Sequence, residues 1–151
     1  MSRVQLALNV ADLGEAVSFY SKLFDTAPAK VRPGYANFAI EDPALKLVLI
    51  EDPTREPGTL NHLGVEVATA REVAAEAARL RGAGLATAEE GGVTCCYAVQ
   101  DKVWVEGPGG EPWEIYTVLA DAPTEAEGPR SSWPGAPACC ASRVNLHVAT
   151  R

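Results

Sequence analysis

Cys95 and Cys96 are adjacent in the chain, and their spacing limits what they can do. A trans peptide holds neighbouring Cα atoms about 3.8 Å apart, short of the roughly 4.4–6.8 Å usual for a disulfide. Two neighbouring thiols that stay reduced form a soft chelate, suited to a thiophilic metal or metalloid. Alternation in a regular strand would send the two sulfurs to opposite faces. Joint chelation therefore requires a bulge or loop, and Gly91-Gly92 offers one nearby. Buried cysteines also serve as plain packing residues. Opposite the thiols, the candidate metal ligands are Gln5, His62 and Glu114.

The elements that must bring these residues together come from an internal repeat. Val4 to Asp12 (VQLALNVAD) lies over Asn61 to Thr69 (NHLGVEVAT) at a constant offset of 57, which sets Gln5 over His62. Both stretches are rich in apolar and β-branched residues and read as strands. Asp12 and Thr69 then act as N-caps, each with a glutamate three residues on. The first helix should present Ala16, Phe19, Tyr20, Leu23 and Phe24 on one face. The second should present Val73, Ala74, Ala77, Leu80 and Ala83.

Three short strands follow each helix: Ala29 to Arg32, Tyr35 to Glu41 and Leu45 to Glu51, then Leu85 to Glu89, an interrupted Val93 to Val105, and Trp113 to Leu119. Breaks are expected at Pro33-Gly34, Asp42-Pro43, Gly91-Gly92, Gln100-Asp101 and the Gly107 to Pro112 segment. The reading is an α+β domain over 1–120, made of two tandem βαβββ modules at about 3–52 and 60–119. An open, barrel-like cavity forms where the two curved sheets meet. Residues 121–151, rich in Ala, Pro and Ser, read as a flexible tail.

With 151 residues, 47% of them hydrophobic, the chain can bury one core shared by two small modules. The net charge of −7 argues against nucleic acid, which requires clustered Lys and Arg. No apolar run approaches the ~20 residues of a membrane helix. The first residues lack the pattern of a signal peptide, so a cytoplasmic location with reduced thiols is expected.

Gln5 in its LALNVAD context, His62 in NHLGVEV and Glu114 in GPGGEPWEIYTV resemble the vicinal oxygen chelate superfamily. That superfamily includes glyoxalases, bleomycin-resistance proteins and extradiol dioxygenases. The resemblance covers about residues 3–119 and implies a metal held by Gln5, His62 and Glu114. The family's common fourth ligand would fall near Val48, which is apolar. Three protein ligands leave positions open, as in the facial triads of non-haem Fe(II) enzymes. The amide of Gln5 is a weaker donor than an imidazole, so metal affinity should be modest, with Ni, Co or Zn as possible surrogates.

TCCYAVQDKVWV at Thr94 to Val105, together with these ligands, resembles the organoarsenical carbon–arsenic lyases of that superfamily and the related cadmium-induced proteins. The resemblance implies Fe(II)- and O2-dependent cleavage of trivalent organoarsenicals, such as methylarsenite or reduced aromatic arsenicals, to arsenite. Cys95 and Cys96 would hold the arsenic. A mobile loop would carry Lys102 as a gate contact, the alternative being an ordinary hairpin turn. Cys139 and Cys140 would capture arsenic from the tail or serve no function, and His147 reads as a surface residue. Tyr97, Trp104, Trp113 and Phe38 are candidates for the wall around the organic group, or for core packing. A thiol-based protein that sequesters cadmium or arsenic without turnover is the alternative. A drug-binding protein or thiol transferase is less consistent with adjacent cysteines. Both a monomer and a homodimer fit the sequence.

Overall fold

The computed structural model describes residues 2–123. The expectations for Cys139, Cys140, His147 and most of the tail lie outside the described residues. Ten elements run in the order β1 (Arg3–Val10), α1 (Leu13–Leu23), β2 (Lys30–Arg32), β3 (Tyr35–Ile40), β4 (Leu45–Glu51), β5 (Leu60–Glu66), α2 (Ala70–Gly82), β6 (Thr87–Cys95), β7 (Ala98–Glu106) and β8 (Pro112–Asp121). This is βαβββ twice, as the repeat predicts. The strands form one sheet in the order β2-β3-β4-β1-β5-β8-β7-β6. The modules join at the antiparallel pair β1 and β5, and each of these strands runs parallel to the last strand of its own module.

Strand alternation sorts the side chains onto two faces. Leu6, Leu8 and Val10 turn outward and pack with Ala36, Phe38, Leu47 and Leu49 against α1. Val103, Val105 and Ile115 turn outward against Val73, Ala77 and Leu80 of α2. Gln5, Ala7 and Asn9 are the buried alternate positions of β1. Phe38 thus belongs to the core under α1 rather than to a ligand wall. The face of α1 also differs from expectation, since Phe19 and Leu23 are exposed. Leu13, Ala16, Val17, Tyr20 and Phe24 make the contact instead. On α2, Ala74 and Ala83 are exposed. Both helices start where the caps predict. Asp12 Oδ1 accepts from the Glu15 amide at 2.7 Å, and Thr69 forms a full capping box with Glu72.

The interrupted segment Val93 to Val105 of the second module is the main correction. The chain reverses at Cys96-Tyr97, between the paired residues Cys95 and Ala98. Both turn residues adopt positive φ, 53° and 59°. That is the geometry of a two-residue hairpin turn normally filled by Asn or Gly. Gly91-Gly92 marks a bulge inside β6 rather than a break, and Asp101 caps it by accepting from the Gly92 amide at 2.7 Å. Gln100, Asp101 and Lys102 are therefore mid-strand residues of β7 and not a loop.

The sheet curls until this turn meets the first module. The Tyr97 hydroxyl donates to the Pro33 carbonyl at 2.9 Å, and Lys30 Nζ donates to the Tyr97 carbonyl at 3.2 Å. Among the described residues no helix is long and apolar enough to cross a membrane.

Candidate metal centre and thiol site

Three inward residues from three adjacent strands converge. Register places Gln5 of β1 opposite Gly64 of β5, and Gly64 opposite Glu114 of β8. Gly64 has no side chain, so Gln5 and Glu114 meet above it. A Cβ there would lie 3.1 Å from Glu114 Cγ, 3.2 Å from the Glu114 carbonyl and 3.3 Å from Gln5 Nε2. His62, two residues earlier on the same face of β5, completes the group. All three side chains are buried.

Their inner atoms form a triangle: Gln5 to His62 Nε2 3.0 Å, Gln5 to Glu114 Oε1 2.8 Å, and His62 Nε2 to Glu114 Oε1 3.3 Å. Donors placed cis at about 2.1 Å from one cation lie ~3.0 Å apart. The triangle therefore has the edge length of three facial ligands. Among the described residues no three of His, Cys, Asp and Glu gather as a metal site. A metal held at this triangle would take the Gln5 amide oxygen as its third donor.

The hydrogen bonds around the triangle fix which atoms face it. The Thr59 hydroxyl donates to the Glu56 carbonyl at 2.5 Å, which can only accept. Thr59 therefore accepts from Asn9 Nδ2 at 3.0 Å, leaving Asn9 Oδ1 to accept from Asn61 Nδ2 at 2.8 Å. Asn61 Oδ1 is then the acceptor for His62 Nδ1–H at 2.8 Å. The tautomer protonated at Nδ1 alone turns its Nε2 lone pair toward the triangle.

Gln5 points Nε2 inward and Oε1 at the Tyr116 hydroxyl, 2.5 Å away. Tyr116 has one proton but meets a second acceptor, Glu66 Oε2, at 2.8 Å. Turning the amide over resolves that conflict, because Nε2 then donates to Tyr116 and Tyr116 donates to Glu66. It also leaves three lone pairs facing one another, an arrangement that a cation satisfies. The donor set fits a divalent metal bound in that orientation.

Lys102 is the residue whose role the sequence misjudged. It is 1% exposed and its Nζ lies 2.6 Å from Glu114 Oε2. Burial alone would raise the Glu114 pKa. The Lys102 charge, followed by the His62 hydrogen bond, overcomes this and holds the carboxyl far below its ordinary value. Glu114 thus stays ionised, with one oxygen engaged by Lys102 and the other left to the triangle. The ammonium also neutralises the carboxylate, consistent with modest cation affinity. Around this centre, burial, Glu66 and Glu114 push the Tyr116 phenol well above its usual value, and Lys46 and Arg3 pair with Glu66.

The thiols sit at the turn between β6 and β7. The two-residue turn brings the sulfurs of Cys95 and Cys96 to 3.3 Å. Cys95 is disulfide-bonded in this structure, so joint chelation by the pair requires its reduction. Both cysteines pack with Ala7, Tyr35, Val48, Ile50, Tyr97 and Trp104. Val48 pairs with Ala7 as Glu114 pairs with Gly64, so it occupies the position that repeats Glu114. The fourth corner of the centre is therefore apolar. A cavity of about 250 Å³ is lined by Cys96, Gln5 and Glu114, together with Tyr35, Lys46 and Gln100. Trp104 sits edge-on to His62 at 5.9 Å, whereas Trp113 is only half-buried.

Sequence reasoning missed Tyr116, Gly64, the Asn9–Asn61 relay and Gln100. The alternate spacing of Gln100, Lys102 and Trp104 was the available signal, since it puts two polar residues on a buried strand face.

Residues 3–115 match the Glyoxalase/Bleomycin resistance protein/Dioxygenase superfamily. A protein of Mycobacterium tuberculosis named cadmium-induced protein CadI is 63% identical over 147 residues, covering 95% of this chain and 96% of that one. A trivalent organoarsenical cleaving enzyme of Thermomonospora curvata is 60% identical over 143 residues, covering 95% of this chain and 91% of that one. Among solved structures, an Mn(II)-bound glyoxalase from Novosphingobium aromaticivorans superposes with a TM-score of 0.57 at 19% identity, over 91% of this chain and 46% of that one. An extradiol ring-cleaving dioxygenase from B. fuscum gives 0.56 at 20% identity, over 80% of this chain and 33% of that one. These two likenesses concern the fold.

Proposed function

Because the chain belongs to the Glyoxalase/Bleomycin resistance protein/Dioxygenase superfamily, we propose that it cleaves the carbon–arsenic bond of trivalent organoarsenicals, using Fe(II) and O2, and releases arsenite. The observation that carries this reading is the cavity that Cys96, Gln5 and Glu114 all line. The relative from Thermomonospora curvata, named for cleaving trivalent organoarsenicals, supports the substrate class.

Each residue has a physical part. Reduced Cys95 and Cys96, 3.3 Å apart, would bind arsenic(III) and reject pentavalent arsenicals, which lack affinity for thiolates. Fixing arsenic at the turn aims its organic group across the cavity and replaces a bimolecular encounter with a positioned one. Gln5, His62 and Glu114 would hold the metal. When bound, Fe(II) supplies the one-electron chemistry with O2 that none of these side chains provides. Lys102 keeps Glu114 ionised, Asn61 sets the tautomer of His62, and Val48 with Trp104 keeps one side of the site apolar. For methylarsenite the balance closes with one O2: CH3As(OH)2 plus O2 gives formaldehyde plus As(OH)3.

The test is anaerobic loading of the reduced protein with Fe(II), followed by methylarsenite with and without air. Arsenite released only with both iron and oxygen, matched by formaldehyde, supports the proposal. Stoichiometric uptake without release supports the second reading, capture of arsenic or cadmium by the thiols. That reading is favoured by the close sulfurs and by the relative named for cadmium induction.

A further inference from the structure

Gln100 Oε1 is the one buried side-chain nitrogen or oxygen without a hydrogen-bond partner among the described residues. Its amide cannot be turned over to remedy this. Gln100 Nε2 donates to the Cys95 carbonyl at 3.2 Å, and a carbonyl only accepts. The residue is 4% exposed and lines the same cavity as Cys96, Gln5 and Glu114. A buried acceptor on a cavity wall calls for a donor from whatever fills the cavity.

Its place on β7 says what that donor belongs to. Ala98, Gln100 and Lys102 are alternate buried residues of the strand, about 6.7 Å apart from one to the next. Ala98 pairs with Cys95 at the thiol turn, and Lys102 grips Glu114. Gln100 lies midway, under the path from the sulfurs to the three-donor centre. An organic group attached to thiol-bound arsenic and aimed at that centre passes over it.

We infer that Gln100 is a specificity residue of this site, accepting a hydrogen bond from an amino or hydroxyl group on the organic substituent of the arsenical. The inference rests on the arsenical reading and narrows its substrate class to arsenicals that carry such a donor, over methylarsenite and unsubstituted phenylarsenite. Size agrees. The cavity of about 250 Å³ exceeds the ~150 Å³ that admits benzene. A site with a buried acceptor discriminates strongly against an analogue that leaves it unpaired.

The experiment uses the full chain carrying Cys139→Ser and Cys140→Ser, reduced with a phosphine and free of metal. Affinities for phenylarsenite and for its 2-, 3- and 4-amino derivatives are measured by calorimetry and tryptophan fluorescence. At least one amino isomer should bind on the order of tenfold tighter than phenylarsenite. Gln100→Met and Gln100→Leu should each bring that ratio to near one. A role confined to holding the turn through the Cys95 carbonyl would weaken all four ligands alike and leave the ratio intact. A ratio near one in the parent protein, or a ratio unchanged in Gln100→Met, overturns the inference alone. Failure of every arsenical to bind, or binding that survives Cys96→Ala, overturns the arsenical reading with it.

Discussion

Lys102 Nζ stands 2.6 Å from Glu114 Oε2, and neither side chain reaches solvent. A buried ion pair is fragile toward loss of one partner, because the survivor keeps its desolvation penalty. Lys102→Met should therefore destabilise the fold by about 3–5 kcal/mol, read from urea unfolding at neutral pH. The acid limb should move as well. The folded-state pKa of Glu114 is depressed, so its stabilisation is complete above the ordinary value of 4.5 and drains away as pH falls below it. Without Lys102, burial dominates and the loss should begin at higher pH. An unchanged acid limb in Lys102→Met would show that the ammonium does not set the state of Glu114.

Gly64 is a test of convergence. In Gly64→Ala the new methyl would press on the Glu114 carbonyl at 3.2 Å as well as on two side chains. A backbone atom cannot step aside cheaply, so Gln5 and Glu114 should separate. Cobalt(II) affinity, followed by its visible absorption, should fall by roughly 10–100-fold while the circular dichroism stays native.

Asn61 is expected to act through His62. Asn61→Leu strands the His62 Nδ1–H and Asn9 Oδ1, at a cost of about 1–3 kcal/mol for each unsatisfied group. Metal affinity should drop by about 10–100-fold. Asn61→Asp keeps an acceptor for Nδ1 and should recover most of the metal affinity. Equal losses in both variants would argue against the relay.

The two halves of the proposed site should be separable. Cys96→Ala should abolish arsenical binding while the protein still takes up one metal equivalent by elemental analysis. Glu114→Ala should show the reverse. Full turnover in Cys96→Ala would end the thiol-capture reading.

The strand–helix–three-strand repeat was legible because Gln5 and His62 mark the same position in two copies, and because Asp12 and Thr69 announce both helices. The reversal at Cys96-Tyr97 was hidden by chemistry. Neither residue is a usual choice for positive φ, and holding them there costs energy that the Tyr97–Pro33 hydrogen bond and Lys30 help offset. A polar triplet, Gln100-Asp101-Lys102, imitated a turn, yet Gln100 and Lys102 face inward and Asp101 caps a bulge. Their partners, Cys95 and Glu114, lie on other strands, so local sequence could not reveal the pairing. The apolar corner at Val48 was expected from the family resemblance, and the register places it opposite Ala7, as Glu114 lies opposite Gly64.

That corner has a consequence for how the protein could change its chemistry. Duplication built four equivalent places for a side chain around one axis, and a valine fills one of them. A ring with a gap has a direction, because an incoming molecule meets hydrocarbon on one flank and lone pairs on the others. Placing a carboxylate there by Val48→Glu would close the ring and tighten its hold on an ion at the expense of room for anything else. The valine, rather than the three polar corners, leaves the cavity open to a ligand from one side.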